Sequence, residues 1–311
     1  MKKHAKLLLL LAPLALAGCG GGQEAPTARD DAQWDQAMTA GTDSFDLGRY
    51  SVAINQYRRA ATLAVLRDDG AAIAEAGYNL AVAQLAADQP QAALQTLQAA
   101  RQAASARGNS QATSFDLVQA AVLYRLKQPQ QAIQYAQHAV ADPSAEAQGR
   151  AALVMGLAAD EAGNQAALQQ ANSILQGLNG KLSRSLQADK AEIAARYVLA
   201  SNPAQAATLA EQAATLRRDD AAYSDMSRAL VLAGTAASRM GDNNRATALW
   251  ARAAQSAAVE ADNAAQGDAA TLAHGALSRG NTHTASEDAQ QWGTQAGTGL
   301  VLRPFATPKT P

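Results

Sequence analysis

Small residues recur along this chain with a long and nearly constant period. Each copy begins with an alanine, has an apolar residue four positions later and, in most copies, has a second alanine after seven. Residues at these spacings share one face of an α-helix. The copies begin at Ala53, Ala93, Ala132, Ala167, Ala206 and Ala246, so successive starts are 40, 39, 35, 39 and 40 residues apart. This period predicts stacked helical repeats.

A residue that interrupts helices precedes every copy. Glycine ends the preceding helix at low steric cost, and proline is tolerated in the first turn of the next one. Three copies use the first device and three the second: Gly48, Gly163 and Gly241, against Gln89-Pro90, Gln128-Pro129 and Asn202-Pro203. Both devices predict a tight pair of antiparallel helices, with the first pair at about residues 34–47 and 51–66.

The pattern resembles the tetratricopeptide repeat (TPR). Two sets of residues carry the resemblance: Gly41, Gly48, Tyr50, Ala53, Ile54, Tyr57 and Ala60, and again Gly234, Gly241, Ala246, Trp250 and Ala253. It covers residues 33–292 and implies an all-α, right-handed solenoid of six to seven repeats. The period exceeds the usual length of about 34 residues, so several helices are expected to run an extra turn. A degenerate seventh unit, Gly275 to Trp292, is interpreted as a cap.

Composition supports this fold and excludes some partners. Apolar residues make up 48 % of the chain but aromatic residues only 4 %, so alanine must supply much of the burial. The 26 basic and 27 acidic residues give a net charge of −1. Such a balance provides no electrostatic footprint for nucleic acid and no polybasic membrane patch.

Residues 1–18 have the features of an export signal. Lys2, Lys3 and Lys6 precede an apolar run from Leu7 to Leu16, which is short for a membrane span. The sequence Leu16-Ala17-Gly18-Cys19 resembles a bacterial lipoprotein box, with the only cysteine of the chain at the lipidated position. An ordinary secreted protein with a chance cysteine is the alternative.

The lipoprotein resemblance also implies a location. A lipoprotein is cleaved before its cysteine, and the acyl chains on that residue anchor it firmly. Gly20 stands where an aspartate typically retains such proteins at the inner membrane, so the resemblance implies the periplasmic face of an outer membrane. Residues 19–32 then form a lipidated, flexible tether.

No catalytic or metal-binding pattern stands out. His138, His274 and His283 have no partner at metal-site spacing, and Ser286-Glu287-Asp288 beside His283 fits the first turn of a helix better than a triad. We therefore expect no enzyme activity, no cofactor and no metal. The alternative from another class is a periplasmic enzyme with a site in the groove.

The resemblance instead implies a binding surface. First helices of TPR units line a concave groove, and the family's groove positions fall here on Tyr78, Tyr124, Arg125, Arg150, Glu161, Arg228 and Arg239. Tyrosine and arginine are common at binding hot spots, and arginines suit an acidic or C-terminal carboxylate peptide. Solvated helix faces or packing between repeats are the alternative. The expected partners are proteins or peptides of the cell envelope.

The tail at residues 293–311 is rich in Gly, Thr and Pro around Leu300-Val301-Leu302. A flexible terminus is the simplest interpretation. Two alternatives remain open: the apolar run docks on the chain's own groove, or it adds to the sheet edge of a partner.

Overall fold

The computed structural model describes residues 31–109, 112–263 and 302. Within these residues the chain is all helical and has no strand. The twelve helices are α1 (Ala32–Asp46), α2 (Tyr50–Leu66), α3 (Gly70–Ala86), α4 (Pro90–Ser105), α5 (Ala112–Arg125), α6 (Pro129–Ala139), α7 (Ala145–Glu161), α8 (Gln165–Gly177), α9 (Arg184–Val198), α10 (Pro203–Asp219), α11 (Tyr223–Arg239) and α12 (Asn243–Asn263). The predicted all-α solenoid is confirmed, with six helix pairs; the seventh unit lies outside the described residues.

The recurring alanines are the contact points within the helix pairs. All six starting alanines lie on second helices, and each is at most 4 % exposed. Alanine at this position lets the second helix approach the first closely, which a longer side chain would prevent. The long period seen in the sequence corresponds to helices of up to 17 residues in the first five pairs.

One glycine-to-aromatic spacing occurs in two repeats and has a steric cause. A methyl group added to Gly41 would lie 2.5 Å from a ring carbon of Tyr57, and one added to Gly234 would lie 2.5 Å from the indole nitrogen of Trp250. Both glycines lie on a first helix, and both aromatic residues lie sixteen positions later on the paired second helix. The missing side chain therefore makes room for the ring.

The order of packing shows which helices face inward. Each helix packs on the next in the chain, and successive first helices from α3 to α11 also contact one another. Among the described residues the second helices pack mainly on first helices, and the contacts between second helices include the polar pairs Gln137–Gln170 and Glu211–Arg245. The array therefore curves toward its first helices, which form the inner face, and the second helices form the outer face.

The core consists of two hydrophobic clusters. The first cluster extends from Trp34 on α1 to Ile193 on α9 and includes Leu302 from the C-terminal region. The second extends from Ala191 on α9 to Ala253 on α12. Because α9 contributes to both clusters, it is the helix at which the two halves of the array meet.

Candidate functional site

The residues predicted to line the groove differ widely in exposure. Tyr78, Tyr124 and Arg228 are buried, with exposed fractions of 6 %, 7 % and 3 %. Arg125 and Arg150 are mostly buried, with side chains 14 % and 12 % exposed. Two residues in last turns, Glu161 and Arg239, are exposed. All seven lie on first helices, as predicted, and their role in binding stays a prediction.

The two inner tyrosines have strongly perturbed hydroxyl groups. Burial raises the pKa of Tyr78, and the charge of Arg150 opposes this only in part. Burial likewise raises the pKa of Tyr124, against the opposing charges of Arg196 and Arg228. Both phenols therefore remain neutral at physiological pH, and each can act as a hydrogen-bond donor.

A network of buried ion pairs occupies the inner side of α7, α9, α10 and α11. We call it the α9 charge network, and its residues are Arg150, Asp160, Asp189, Glu192, Arg196, Arg217, Asp225 and Arg228. Its four acidic and four basic side chains balance one another. Six of these eight side chains are at most 12 % exposed, and Arg196 is 14 % exposed and Asp160 32 %.

Arg228 donates three short hydrogen bonds to carboxylates of this network. Its Nε and Nη2 donate to the two carboxylate oxygens of Glu192 at 2.6 and 2.8 Å, and its Nη1 donates to Asp225 at 2.6 Å. A bidentate guanidinium–carboxylate pair is among the strongest charge-assisted hydrogen bonds. The pair joins first helices of neighbouring repeats, α9 and α11.

The remaining members extend the network in both directions. Asp189 accepts from Arg150 at 3.1 and 3.2 Å and also from Arg217. Arg217 lies 3.3 Å from Asp225 as well. On the other side, Arg196 donates to Glu192 at 3.1 Å and to Asp160 at 2.5 Å. Because every buried carboxylate meets at least two guanidinium groups, the cost of desolvation is offset locally.

The ionisation of the network follows from these contacts. Burial alone would raise the pKa of Glu192, but Arg228, with Arg196 and Arg217, holds that pKa well below its usual value. The pKa of Asp225 is lowered in the same way, because Arg228 and Arg217 outweigh its burial. Both carboxylates stay ionised at neutral pH and are suited to structural pairing rather than to proton transfer.

The sequence reasoning missed six members of the network: Asp160, Asp189, Glu192, Arg196, Arg217 and Asp225. A signal for one of them was present. Arg150, Asp189 and Arg228 are each 39 residues apart, so they occupy one frame position in three successive repeats with alternating charge. The helical spacing of Asp225 and Arg228 was a second signal.

A polar cavity of about 310 Å³ adjoins the network. Arg150 and Asp225 line it. The other lining residues include Tyr50 at the start of α2, Ser185 at the start of α9 and Tyr223 at the start of α11. The cavity therefore brings the first repeat and the last three described repeats together around one space. In the described part of the chain, no group of three or more His, Cys, Asp or Glu could hold a metal ion. Among the same residues, no helix has the length and apolar character of a membrane span.

Comparison with known proteins identifies a fold. No protein-family model matches the sequence, and no curated protein matches it. A solved structure does match: a tetratricopeptide repeat protein from Parabacteroides merdae ATCC 43184, with a TM-score of 0.50 and 14 % sequence identity. The match covers 85 % of this chain and 100 % of that one. The class of protein is therefore a TPR-like helical solenoid.

Proposed function

We propose that this chain is a lipid-anchored, non-catalytic scaffold on the periplasmic face of a bacterial outer membrane. Its inner face binds protein or peptide partners of the cell envelope. The anchor and the location rest on the resemblance of Leu16 to Cys19 to a lipoprotein box and on Gly20 after it. The binding role rests on the fold.

The single observation behind the binding role is the continuous inner face. From α3 to α11 the first helices of successive repeats contact each other directly, so their side chains form a continuous surface along this part of the array. Stacked repeats generally use such extended concave surfaces for binding. The predicted groove residues Tyr78, Tyr124 and Arg125 belong to the first helices that form this surface, and the exposed charges of Glu161 and Arg239 lie at the ends of two of these helices.

Two other functions remain as alternatives. The chain could serve as a pilotin or assembly factor for a pilus, a secretion channel or an outer-membrane protein, which is a special case of partner binding. It could also be a periplasmic enzyme. Burial raises the pKa of Glu75, which is the direction that a general acid requires. An activity abolished by Glu75→Gln, with folding retained, would favour the enzyme.

The anchor is tested by changing Cys19 to serine. This change removes the only thiol that can carry the lipid. We expect Cys19→Ser to leave the membrane fraction or to remain unprocessed, and to lose incorporation of labelled palmitate. A variant that still sediments with outer membranes through repeated salt washes would contradict the lipid anchor.

The binding role is tested by a pull-down from crosslinked envelopes, followed by titration of the recovered partner. Charge reversal at Glu161 and at Arg239 changes exposed inner-face residues without disturbing the core. Each reversal should weaken binding and change its salt dependence, because exposed charge pairs are screened by salt. Arg59→Glu, at an exposed position on the outer helix α2, is the matched control and should bind normally. Equal affinities for all variants would move the binding surface off the inner face.

A further inference from the structure

Leu302 is distant in sequence from the other described residues but is buried among them. Its exposed fraction is 3 %, and it belongs to the first cluster, which is built from helices α1 to α9. The second cluster, closer to it in sequence, does not include it. An extended connection from Asn263 to Leu302 could span about 130 Å, so the chain is long enough to return to the first half of the array.

The inner side of that half is covered. On α3, every residue from Gly70 to Leu85 except Glu75 is buried, whereas the outer helix α4 has only four buried residues. On α7, every residue from Gly149 to Ala159 is buried except Arg150. In an empty groove the inner sides of such helices would face water, except where the arginines of the α9 charge network lie close to Tyr78 and Tyr124.

The covered residues and Leu302 form one cluster. Tyr78 on α3 and Tyr124 on α5, both at predicted groove positions, are buried and belong to the same cluster as Leu302. Most members of the first cluster lie on first helices, so we expect a further apolar residue to pack against these helices. Leu302 itself lies outside any helix.

We propose that Leu302 anchors the C-terminal end of the chain on the inner face of α3, α5 and α7 as an intramolecular ligand. A partner that uses this face must displace it and must present an extended segment with a leucine-sized apolar side chain. The displacement rests on the proposed function, whereas the docking of Leu302 does not.

A tethered ligand competes strongly with a free one. A ligand that belongs to the same chain is present at an effective concentration in the millimolar range or somewhat below. Only the fraction of molecules in which Leu302 has left the inner face can bind a competing segment. The apparent affinity for that segment is therefore reduced in proportion to this fraction. We expect the apparent affinity for a free segment to be roughly 10- to 100-fold weaker in the intact chain than in a chain whose own anchor is disabled.

The docking is tested by placing a photo-crosslinking amino acid, p-benzoylphenylalanine, at position 302 of the full chain. Irradiation followed by mass spectrometry identifies the partners of that position. The expected products are intramolecular crosslinks to peptides from residues 70–161. Crosslinks confined to residues 203–263, or formed only between two copies of the chain, would overturn the proposal.

The competition is tested with a dye-labelled synthetic peptide of residues 293–311. It should bind the full-length Leu302→Asp variant at least 10-fold more tightly than the wild type, because the variant no longer occupies its own groove. A peptide carrying the same Leu302→Asp change should bind neither protein. Leu66→Asp, at a leucine on α2 that is 76 % exposed, is the matched control and should behave as the wild type.

The outcomes separate the two proposals. Equal peptide affinities for the wild type and a folded Leu302→Asp variant would overturn the intramolecular ligand. Crosslinking is obtained without this variant, so it decides the docking even where Leu302→Asp folds poorly. Neither result depends on the envelope partner. A failed pull-down together with the expected crosslinks would therefore contradict the proposed scaffold function alone.

Discussion

Arg217 and Arg218 are adjacent on α10 but have opposite environments. The side chain of Arg217 is 1 % exposed and is paired with Asp189, Glu192 and Asp225. The side chain of Arg218 is 60 % exposed and is paired only with its neighbour Asp219 among the described ion pairs. One arginine is therefore part of the buried α9 charge network, and the other belongs to the surface.

Replacing each arginine with methionine should separate these roles. Arg217→Met removes a buried cation and leaves its carboxylates short of a partner, so the free energy of unfolding should fall by about 3–5 kcal/mol. Arg218→Met loses an exposed pair and should change it by about 0.5 kcal/mol or less. Urea denaturation measures both values. Equal, small losses for the two variants would mean that the network contributes no net stability.

Gly41 illustrates a constraint that comes from shape alone. Gly41→Ala places a methyl group against the ring of Tyr57, whose exposed fraction is 0 % and which cannot easily move. Overpacking of this kind should lower the free energy of unfolding by about 1–3 kcal/mol. Gly177→Ala, at the end of α8, is the control, because a methyl group added there would meet no other part of the protein within 4 Å. It should be neutral or stabilising, by up to about 1 kcal/mol. A Gly41→Ala variant as stable as this control would contradict the packing described for the first pair.

At the scale of helices, two turn sequences produce one turn geometry. The glycine turns have left-handed backbone conformations at Gly48, Gly163 and Gly241, with φ of 70°, 66° and 80°. In two of the proline turns the same position is taken by Asp88 and Lys127, with φ of 56° and 58°. In each of these turns the second helix begins two residues later. The left-handed residue reverses the chain, and proline only fixes where the next helix starts.

The contact between paired helices should be sensitive to a charge at its centre. Ala132 on α6 is 0 % exposed, and its neighbour Gln131 is exposed. Ala132→Glu buries a charge and overpacks the contact, so the free energy of unfolding should fall by about 3 kcal/mol or more. Gln131→Glu introduces the same side chain one position away and should have little effect. Circular-dichroism melts of the two variants make the comparison, and coincident melting curves would show that the phase assigned to the repeat is wrong.

Over the whole molecule, the α9 charge network lies where the two hydrophobic clusters meet. Ile193 on α9 belongs to the first cluster and Ala195 to the second, while Asp189 and Glu192 on the same helix are 0 % exposed. Ion pairs made by residues of α9 connect repeat five to repeats four and six. The paired residues lie about one repeat period apart in the sequence. In a linear array, stability is the sum of the repeats and of the interfaces between neighbours. The network therefore contributes mainly to the coupling of the two halves.

This coupling should weaken in acid. The folded-state pKa values of Glu192 and Asp225 lie below the unfolded values of about 4.3 and 3.9. Their contribution is therefore fully present above those unfolded values, and it is lost as the pH falls through the lower folded values. We expect the urea midpoint to be steady from pH 7 to about pH 5 and to fall steeply below pH 4.

The variants Glu192→Gln and Glu75→Gln identify the source of this pH dependence. Glu192→Gln should be less stable at pH 7 but lose less on acidification. Glu75 affects the pH dependence of stability in the opposite direction. Burial raises its pKa, so its protonation in acid favours the folded state. Glu75→Gln should therefore steepen the acid loss slightly. An unchanged pH profile for Glu192→Gln would exclude this carboxylate as the acid-sensitive group.

Much of the fold was predictable from local spacing. The predicted first pair, at about residues 34–47 and 51–66, agrees with α1 and α2 to within two residues at each end. The starting alanines, Pro90, Pro129 and Pro203 all lie where the repeat frame put them. These features depend on helix periodicity and on the backbone limits of glycine and proline, which act within a few residues of the chain.

The sequence by itself determined which segments are helices, where they end and which alanines lie between them. Only the tertiary structure decided that Tyr78, Tyr124 and Arg228 are buried. It also decided that Asp189, Glu192 and Asp225 neutralise the buried arginines of the network. It also decided that Leu302 packs with the first cluster. The reason is physical: a helix repeats every 3.6 residues whatever surrounds it. Burial and ion pairing here depend also on groups such as Glu192 and Arg228, which lie 36 residues apart in the chain and meet only when the array has stacked.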